Sequence, residues 1–153
     1  MINLTPITAN RELWMSLLLE ADESEPVVRS YLDQGELFTI DEDEEPRGVV
    51  LVIGEGADLE IKNIAVEQMS RGRGLGTAAI GLVIDEARLR GSRRVIVGTA
   101  DSSVETIGFY QRRGFRICGV RHRFFDAYPE VIVENGRVAH DMIILEFELQ
   151  PGE

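Results

Sequence analysis

The spacing of apolar and polar residues predicts that strands and helices alternate along this chain. Residues 48–53 form a continuous apolar run, which is typical of a strand covered on both faces, and residues 94–98 predict another buried strand. The end of the run 142–149 alternates apolar residues with glutamates, which indicates one buried and one solvated face. Residues 75–90 carry apolar side chains at helical spacing and predict an amphipathic helix that ends before Gly91.

The same criteria predict seven strands and four helices. The predicted strands are residues 2–6, 38–40, 48–53, 59–66, 94–98, 115–120 and 142–149. Three of the predicted helices are residues 26–32, 75–90 and 104–113, and the fourth precedes them near the N-terminus. This order predicts an α/β (α+β) fold in which helices flank a mixed sheet, with a right-handed crossover around the helix at 75–90.

Polar residues predict where several of these elements begin and turn. Thr8 or Asn10 is expected to cap the first helix, whose predicted buried face carries Leu13, Trp14, Leu17 and Leu18. The acidic run 41–46 contains a proline and is expected to form a solvated hairpin tip. Asn135–Gly136 is a strong signal for a two-residue hairpin turn.

Composition narrows the class of protein. A length of 153 residues fits one domain over residues 1–153, and a net charge of -11 disfavours a nucleic-acid binder. No apolar run approaches the roughly 20 residues that span a bilayer, so no membrane role is expected. The single cysteine, Cys118, suggests a reducing, cytoplasmic location, and it is expected to be a buried small hydrophobe. No metal-ligand cluster is apparent, so no metal is expected.

The run Arg71-Gly72-Arg73-Gly74-Leu75-Gly76 lies between the strand at 59–66 and the helix at 75–90. Alternate glycines remove Cβ atoms from a tight turn and leave backbone N–H groups, two arginines and a helix N-terminus directed at one point, which suits phosphate. A P-loop would need Gly-Lys-Ser/Thr, which is missing. A dinucleotide fingerprint would need a glycine at Thr77 and no intervening residues 67–70.

Two motifs resemble the GNAT superfamily of acyl-CoA N-acyltransferases. Glu60-x-x-Asn63-Ile64-Ala65-Val66, followed by Arg71-x-x-Gly74-x-Gly76, looks like the family's fourth strand and pyrophosphate loop. Phe109-Tyr110-x-x-x-Gly114-Phe115 resembles its late helix, which ends in Tyr-x-x-x-Gly-Phe. The motifs span residues 60–115, and the element order fits the family over nearly the whole chain. The resemblance implies a mostly antiparallel sheet of six to seven strands, splayed at the central strands, with about four helices.

The resemblance also implies acetyl-CoA as co-substrate. Its pyrophosphate is expected at the glycine turn, on Arg71, Gly72, Arg73, Gly74, Leu75, Gly76 and Thr77. Its pantetheine arm is expected to pair with the backbone of Ile64, Ala65 and Val66, where the Ile64 amide would polarise the thioester carbonyl. Ser103 stands where many members carry an asparagine. It is expected to contact the cofactor or, with Asp101 and Ser102, to cap the late helix, and the two roles are compatible.

Transfer of an acetyl group to an amine needs two proton movements. Glu60 is the candidate base, acting through water, with Asp58 and Glu55 as alternatives; the competing interpretation of Glu60 is an exposed strand carboxylate. Tyr110 is the candidate acid for the departing thiolate, as the family's matching tyrosine often is, and the competing interpretation is a core tyrosine. A phenol with a pKa near 10 stays protonated at neutral pH. The aromatic residues of the C-terminal part are expected to line the pocket for the acceptor or to form a dimer contact. They are Phe124, Phe125 and Tyr128.

Together these features predict an N-acetyltransferase that moves an acetyl group from acetyl-CoA to a primary amine by direct attack in a ternary complex. The acidic composition favours a small cationic acceptor, and polyamines, aminoglycoside-like drugs, amino acids and protein amines stay open. A homodimer is compatible with the resemblance, because dimers are frequent among similar proteins. The alternative from another class is a non-catalytic acyl-CoA-binding sensor or interaction module.

Overall fold

The computed structural model describes residues 1–149, so residues 150–153 of the expected domain lie outside the described range. The strands are β1 (Ile2–Pro6), β2 (Glu36–Glu42), β3 (Glu45–Glu55), β4 (Asp58–Val66), β5 (Arg94–Ala100), β6 (Arg116–Arg121), β7 (Val133–Glu134), β8 (Arg137–Val138) and β9 (Met142–Glu148). The α-helices are α1 (Met15–Ala21), α2 (Glu25–Tyr31), α3 (Leu75–Leu89) and α4 (Val104–Arg112).

The main sheet has seven strands in the order β1-β2-β3-β4-β5-β9-β6. Within it β4 and β5 pair in parallel, and the other neighbours are antiparallel. Strands β7 and β8 form a separate hairpin around Asn135–Gly136. Both of these turn residues have a positive φ, as the predicted two-residue turn requires. The predicted α/β fold, with its mostly antiparallel sheet and four helices, is confirmed.

Helices cover both faces of the sheet. On one face, Val50 and Val52 of β3 pack with the apolar stripe of α3. On the other face, Val49 and Leu51 pack with Leu18 of α1 and its neighbours in α2. Because adjacent residues of β3 point to opposite layers, its continuous apolar run serves two cores at once.

The parallel pair β4–β5 separates part of the way along. Pairing runs from Asp58 opposite Arg94 to Ile61 opposite Val97, and then β4 continues to Val66 and β5 to Ala100 without a shared ladder. At the same point β4 carries a bulge, because Leu51 pairs with Asn63 while Val52 pairs with Ile61. The predicted splay at the central strands is therefore confirmed.

Two predictions about turns and caps were wrong in detail. Only Asp43 and Glu44 form the hairpin tip, whereas the rest of the acidic run stays paired in the strands. Asp41 is buried and accepts a hydrogen bond from the hydroxyl of Thr5 on β1. Asn10 precedes the first helical turn but makes no capping hydrogen bond. That turn is a 3-10 helix, in which the angle between successive side chains differs from that of an α-helix. Leu13 is 77% exposed, so the prediction that it lies on the buried face was wrong as well.

Cys118 is exposed, so the expectation of a buried cysteine was also wrong. It lies on β6, which is the edge of the sheet, and it is the extra residue between Ile117, opposite Leu145, and Gly119, opposite Ile144. An apolar sequence around a cysteine does not reveal that its strand is last in the sheet.

Candidate active site

Two cavities meet where β4 and β5 separate. The first, which we name the glycine-turn cleft, has a volume of about 680 Å³ and lies between the glycine turn, the end of β4 and α4. The second, the split cavity, has a volume of about 430 Å³ and lies among β4, β5, the α1–α2 turn and the segment after β6. The residues that line both are Ile64, Val66, Arg71, Thr106 and Tyr110. A ligand can therefore extend from one cavity into the other.

The glycine turn leaves open space and unpaired amides at the start of α3. Gly72 and Gly74 both have φ of +80°, and a Cβ added at either would meet no atom within 4 Å. The Ala78 amide donates to the Gly74 carbonyl (3.0 Å), so the preceding amides of the first turn lack an intrahelical acceptor. Amides at a helix N-terminus, combined with the helix dipole, favour an anion at this position.

The two arginines of the turn are paired with carboxylates. Arg71 donates from Nε to the Val66 carbonyl (2.9 Å) and from Nη2 to Glu20 (2.6 Å), which ties the end of β4 to α1. The Arg73 guanidinium lies 2.8 Å from Glu42. Both arginines are about half exposed, so their positive charge stays available to an anion at the turn. Arg71 lines both cavities, whereas Arg73 is not among the residues that line either one in the described range.

Tyr110 lies at the junction of the cavities. The side chain is 3% exposed, and its ring packs edge-on against Phe109 and Phe115 at 5.3 and 5.2 Å. Its hydroxyl makes no hydrogen bond to any residue among 1–149, and burial raises the pKa of Tyr110. The phenol is consequently protonated at neutral pH and has a free donor beside the split.

Ser103 does not cap α4 through its side chain. It occupies the N-cap position without a capping hydrogen bond, so the prediction of a cap there was wrong. Its hydroxyl instead donates to Glu134 on β7 (2.7 Å), a partner that no local pattern indicates. Both residues line the split cavity, where Glu134 adds a carboxylate to the wall.

The candidate bases lie around the paired part of β4. Glu60 is opposite Ile96 of β5, before the strands separate, and it is not among the residues that line the two cavities in the described chain. Asp58 is bound to Arg94 at 2.8 Å, and Glu55 lies at the end of β3. Any direct proton acceptor in the split cavity would therefore have to come from other carboxylates, and Glu60 would need bridging water.

Sequence reasoning missed the polar wall of the split cavity. Asp22, in the turn between α1 and α2, accepts hydrogen bonds from Tyr31 (2.9 Å) and Tyr128 (3.1 Å). Tyr128 lies near Phe124 and Phe125, and the three rings line this cavity as one of the two expectations for them stated. Asp22 is one of several acidic residues that are close together in the sequence, and nothing in the sequence distinguishes it from the others as a site residue.

The arrangement agrees with comparisons to known proteins. The model of the acetyltransferase (GNAT) family matches residues 7–115, and this chain belongs to that family. It is 38% identical over 142 residues to an uncharacterized N-acetyltransferase, YvbK, of Bacillus subtilis, covering 92% of this chain and 91% of that one. Among the residues described here, no helix has the length and apolarity that crossing a membrane requires.

Two solved structures are also similar. A GNAT family acetyltransferase from Elizabethkingia anophelis with acetyl-CoA bound is 37% identical, with a TM-score of 0.89 and coverage of 97% of this chain and 98% of that one. A Bacillus subtilis acetyltransferase in complex with CoA is 36% identical, with a TM-score of 0.84 and the same coverage. The chain is thus an acetyltransferase of the GNAT type in fold and family.

Proposed function

We propose that this protein transfers an acetyl group from acetyl-CoA to a primary amine, within one domain over residues 1–153. The observation that carries the proposal is the meeting of an anion-binding cleft and an acidic cavity at a buried tyrosine with a free hydroxyl. The presence of acetyl-CoA and CoA in two relatives of similar fold supports the choice of co-substrate. A homodimer and a cytoplasmic location stay predictions.

The glycine-turn cleft suits the pyrophosphate and the pantetheine arm of acetyl-CoA. The backbone amides of residues 72–77 would bind the pyrophosphate, with added charge from Arg71 and Arg73. The backbone of residues 64–66 would pair with the amides of the arm, because β5 no longer occupies that side of β4. Ser103 would contact the cofactor from the split cavity. When bound, acetyl-CoA supplies an activated thioester, which removes the need for a metal.

The chemistry requires one bond to form and one to break. The ammonium group first loses one proton, which frees the lone pair of the amine. The amine nitrogen then bonds to the acetyl carbon, the carbon–sulfur bond breaks and the nitrogen loses a second proton. Of these two protons, one reaches sulfur and the other is released to solvent. The Ile64 amide would stabilise the oxyanion, and Glu60 would accept the amine proton through water. Because burial makes Tyr110 a weaker acid than a free phenol, its hydroxyl would act chiefly by donating a hydrogen bond to the developing thiolate.

The wall of the split cavity supports a cationic acceptor. Its carboxylates are Glu20, Asp22, Glu23 and Glu134, against Lys62 and Arg71 as cations. Four carboxylates against two cations leave the wall with a net negative charge. A volume of about 430 Å³ suits a small amine.

The test is turnover with purified protein. Acetyl-CoA is incubated with a panel of primary amines, and CoA and acetylated product are measured by chromatography and mass spectrometry, because the exposed Cys118 would react with a thiol reagent. We expect amine-dependent CoA release that the Tyr110→Phe variant slows. Tight CoA binding without any acetylated product across the panel would instead identify a non-catalytic acyl-CoA-binding module.

A further inference from the structure

Asp22 is held in the wall of the split cavity from two directions. Its Oδ2 accepts from the hydroxyl of Tyr31 on α2, and its Oδ1 accepts from the hydroxyl of Tyr128, 106 residues further along the chain. A carboxylate has about four acceptor positions, of which two are used here. Since Asp22 lines the cavity, its remaining positions are available to a ligand with hydrogen-bond donors.

Asn63 contributes a second acceptor to the same wall. It is 5% exposed, and its Nδ2 donates to the Leu18 carbonyl (3.0 Å) and to the Tyr31 hydroxyl (2.9 Å), which fixes the orientation of the amide. Its Oδ1 is buried and has no hydrogen-bond partner among the described residues. A buried acceptor left unpaired is costly, so a ligand that brings an N–H to this wall would remove that cost.

The apolar part of the wall suits a carbon chain. Phe125 and Tyr128 have ring centroids 5.0 Å apart and both line the cavity. The single lysine of the sequence, Lys62, lies over the ring of Tyr31 with Nζ 5.1 Å from its centroid, and its ammonium forms no ion pair with Asp22 in the described chain. The wall therefore combines an oriented carboxylate, an unpaired amide oxygen and aromatic faces, which together match an alkylammonium ion.

We propose that Asp22 is the acceptor-binding carboxylate of this protein. Its free acceptor positions hold the ammonium group of the incoming amine, Asn63 Oδ1 offers a further acceptor, and Phe125 and Tyr128 cover the carbon chain. The acceptor class is a primary alkylammonium ion. The inference that the bound amine is the acetyl acceptor rests on the proposed function. Binding of the ammonium ion at Asp22 can be measured without turnover.

The experiment is calorimetric titration of pentylammonium into protein saturated with CoA. The neutral comparison ligand is butanohydrazide, whose chain of carbon and nitrogen atoms is as long as that of pentylammonium and which is uncharged at neutral pH. We expect Asp22→Asn to weaken pentylammonium binding by about 10- to 100-fold, as for a lost hydrogen bond to a charged group, and to leave the weaker hydrazide binding unchanged. The control is Glu23→Gln, which removes a neighbouring cavity carboxylate that no tyrosine holds.

Three results would overturn the inference. They are no pentylammonium binding by the wild type, equal binding by wild type and Asp22→Asn, and equal weakening by Asp22→Asn and Glu23→Gln. If Asp22→Asn does not fold, Asp22→Glu keeps the charge and displaces it by one methylene, and we expect about 10-fold weaker binding. Asp22-dependent binding without acetylation of any amine in the panel would refute the proposed function alone. Acetylation of pentylamine at the same rate in wild type and both Asp22 variants would refute this inference alone.

Discussion

Replacing Tyr110 with phenylalanine separates catalysis from stability. The substitution keeps the ring, so the edge-on contacts with Phe109 and Phe115 stay in place. The removed hydroxyl has no hydrogen-bond partner among residues 1–149, so no protein group loses a partner. The free energy of unfolding should therefore change by less than about 1 kcal/mol, equivalent to about 2–4 °C in Tm for a chain of this size.

The effect on rate should be much larger. A hydrogen bond from Tyr110 to a thiolate that forms only in the transition state is worth about 1.5–3 kcal/mol, which corresponds to a decrease of about 10- to 150-fold in kcat. Because the interaction is absent in the ground state, kcat and kcat/KM for the amine should fall together. The decrease should shrink for an acetyl thioester of a more acidic thiol, which needs less help to leave.

The assay is steady-state release of CoA, measured by chromatography, alongside thermal unfolding of both proteins. A loss of rate in the Tyr110→Phe variant that comes with a Tm decrease of about 10 °C would indicate a structural effect. Wild-type kcat in a stably folded Tyr110→Phe protein would refute the role of the hydroxyl.

Three further predictions concern the cleft and the tyrosines. Gly74→Ala, at φ +80°, should cost about 1 kcal/mol of stability and weaken CoA binding about 10-fold by calorimetry. The control is Gly54→Ala, without positive φ and outside the cleft, which should leave CoA binding unchanged and raise stability by no more than about 1 kcal/mol. Arg71→Ala should weaken CoA binding about 10-fold, and by less at high salt. The control is Arg90→Ala, which removes an arginine paired with Glu36 and Glu86 outside the residues that line the cleft, and it should leave the affinity for CoA unchanged. Burial raises the pKa of all three tyrosines, so above about pH 10 the unfolded chain loses protons that the native protein keeps. Urea unfolding should therefore show that stability falls by at most about 1.4 kcal/mol per pH unit for each tyrosine, least for the partly exposed Tyr128. The Tyr110→Phe variant should lack the contribution of one tyrosine to that slope.

The parts of this site that sequence could predict are those that one continuous segment encodes. The glycine run, the strand before it and the Tyr-x-x-x-Gly-Phe helix all lie within residues 60–115, where local spacing fixes both the elements and their order. The apolar runs of β3 and β5 were equally informative, because strands covered on both faces leave an unmistakable pattern.

The acceptor side could not be predicted in the same way. The hydrogen bonds of Asp22 to Tyr128 and of Ser103 to Glu134 join residues 106 and 31 positions apart, and no periodicity reports such pairs. The sequence places Glu60 on the strand that leads to the cleft, but it does not show that β4 and β5 are still paired at that residue. The exposure of Cys118 depends on which strand is last in the sheet, a property of topology rather than of local sequence.

The separation of β4 from β5 also bears on how the molecule avoids unwanted association. Beyond Ile61 and Val97, β4 has backbone groups on one side without a strand partner. At an exposed sheet edge, such groups can pair with a strand of another molecule and lead to aggregation. Here those backbone groups line the cavities between β4 and the neighbouring elements instead of an open sheet edge, so a strand of another folded protein would have little room to pair with them. Only a slender, flexible chain with its own amide groups can enter, and a pantetheine arm meets that requirement. Under the proposed function, the geometry that exposes the backbone of β4 to the co-substrate would also shield it from other proteins.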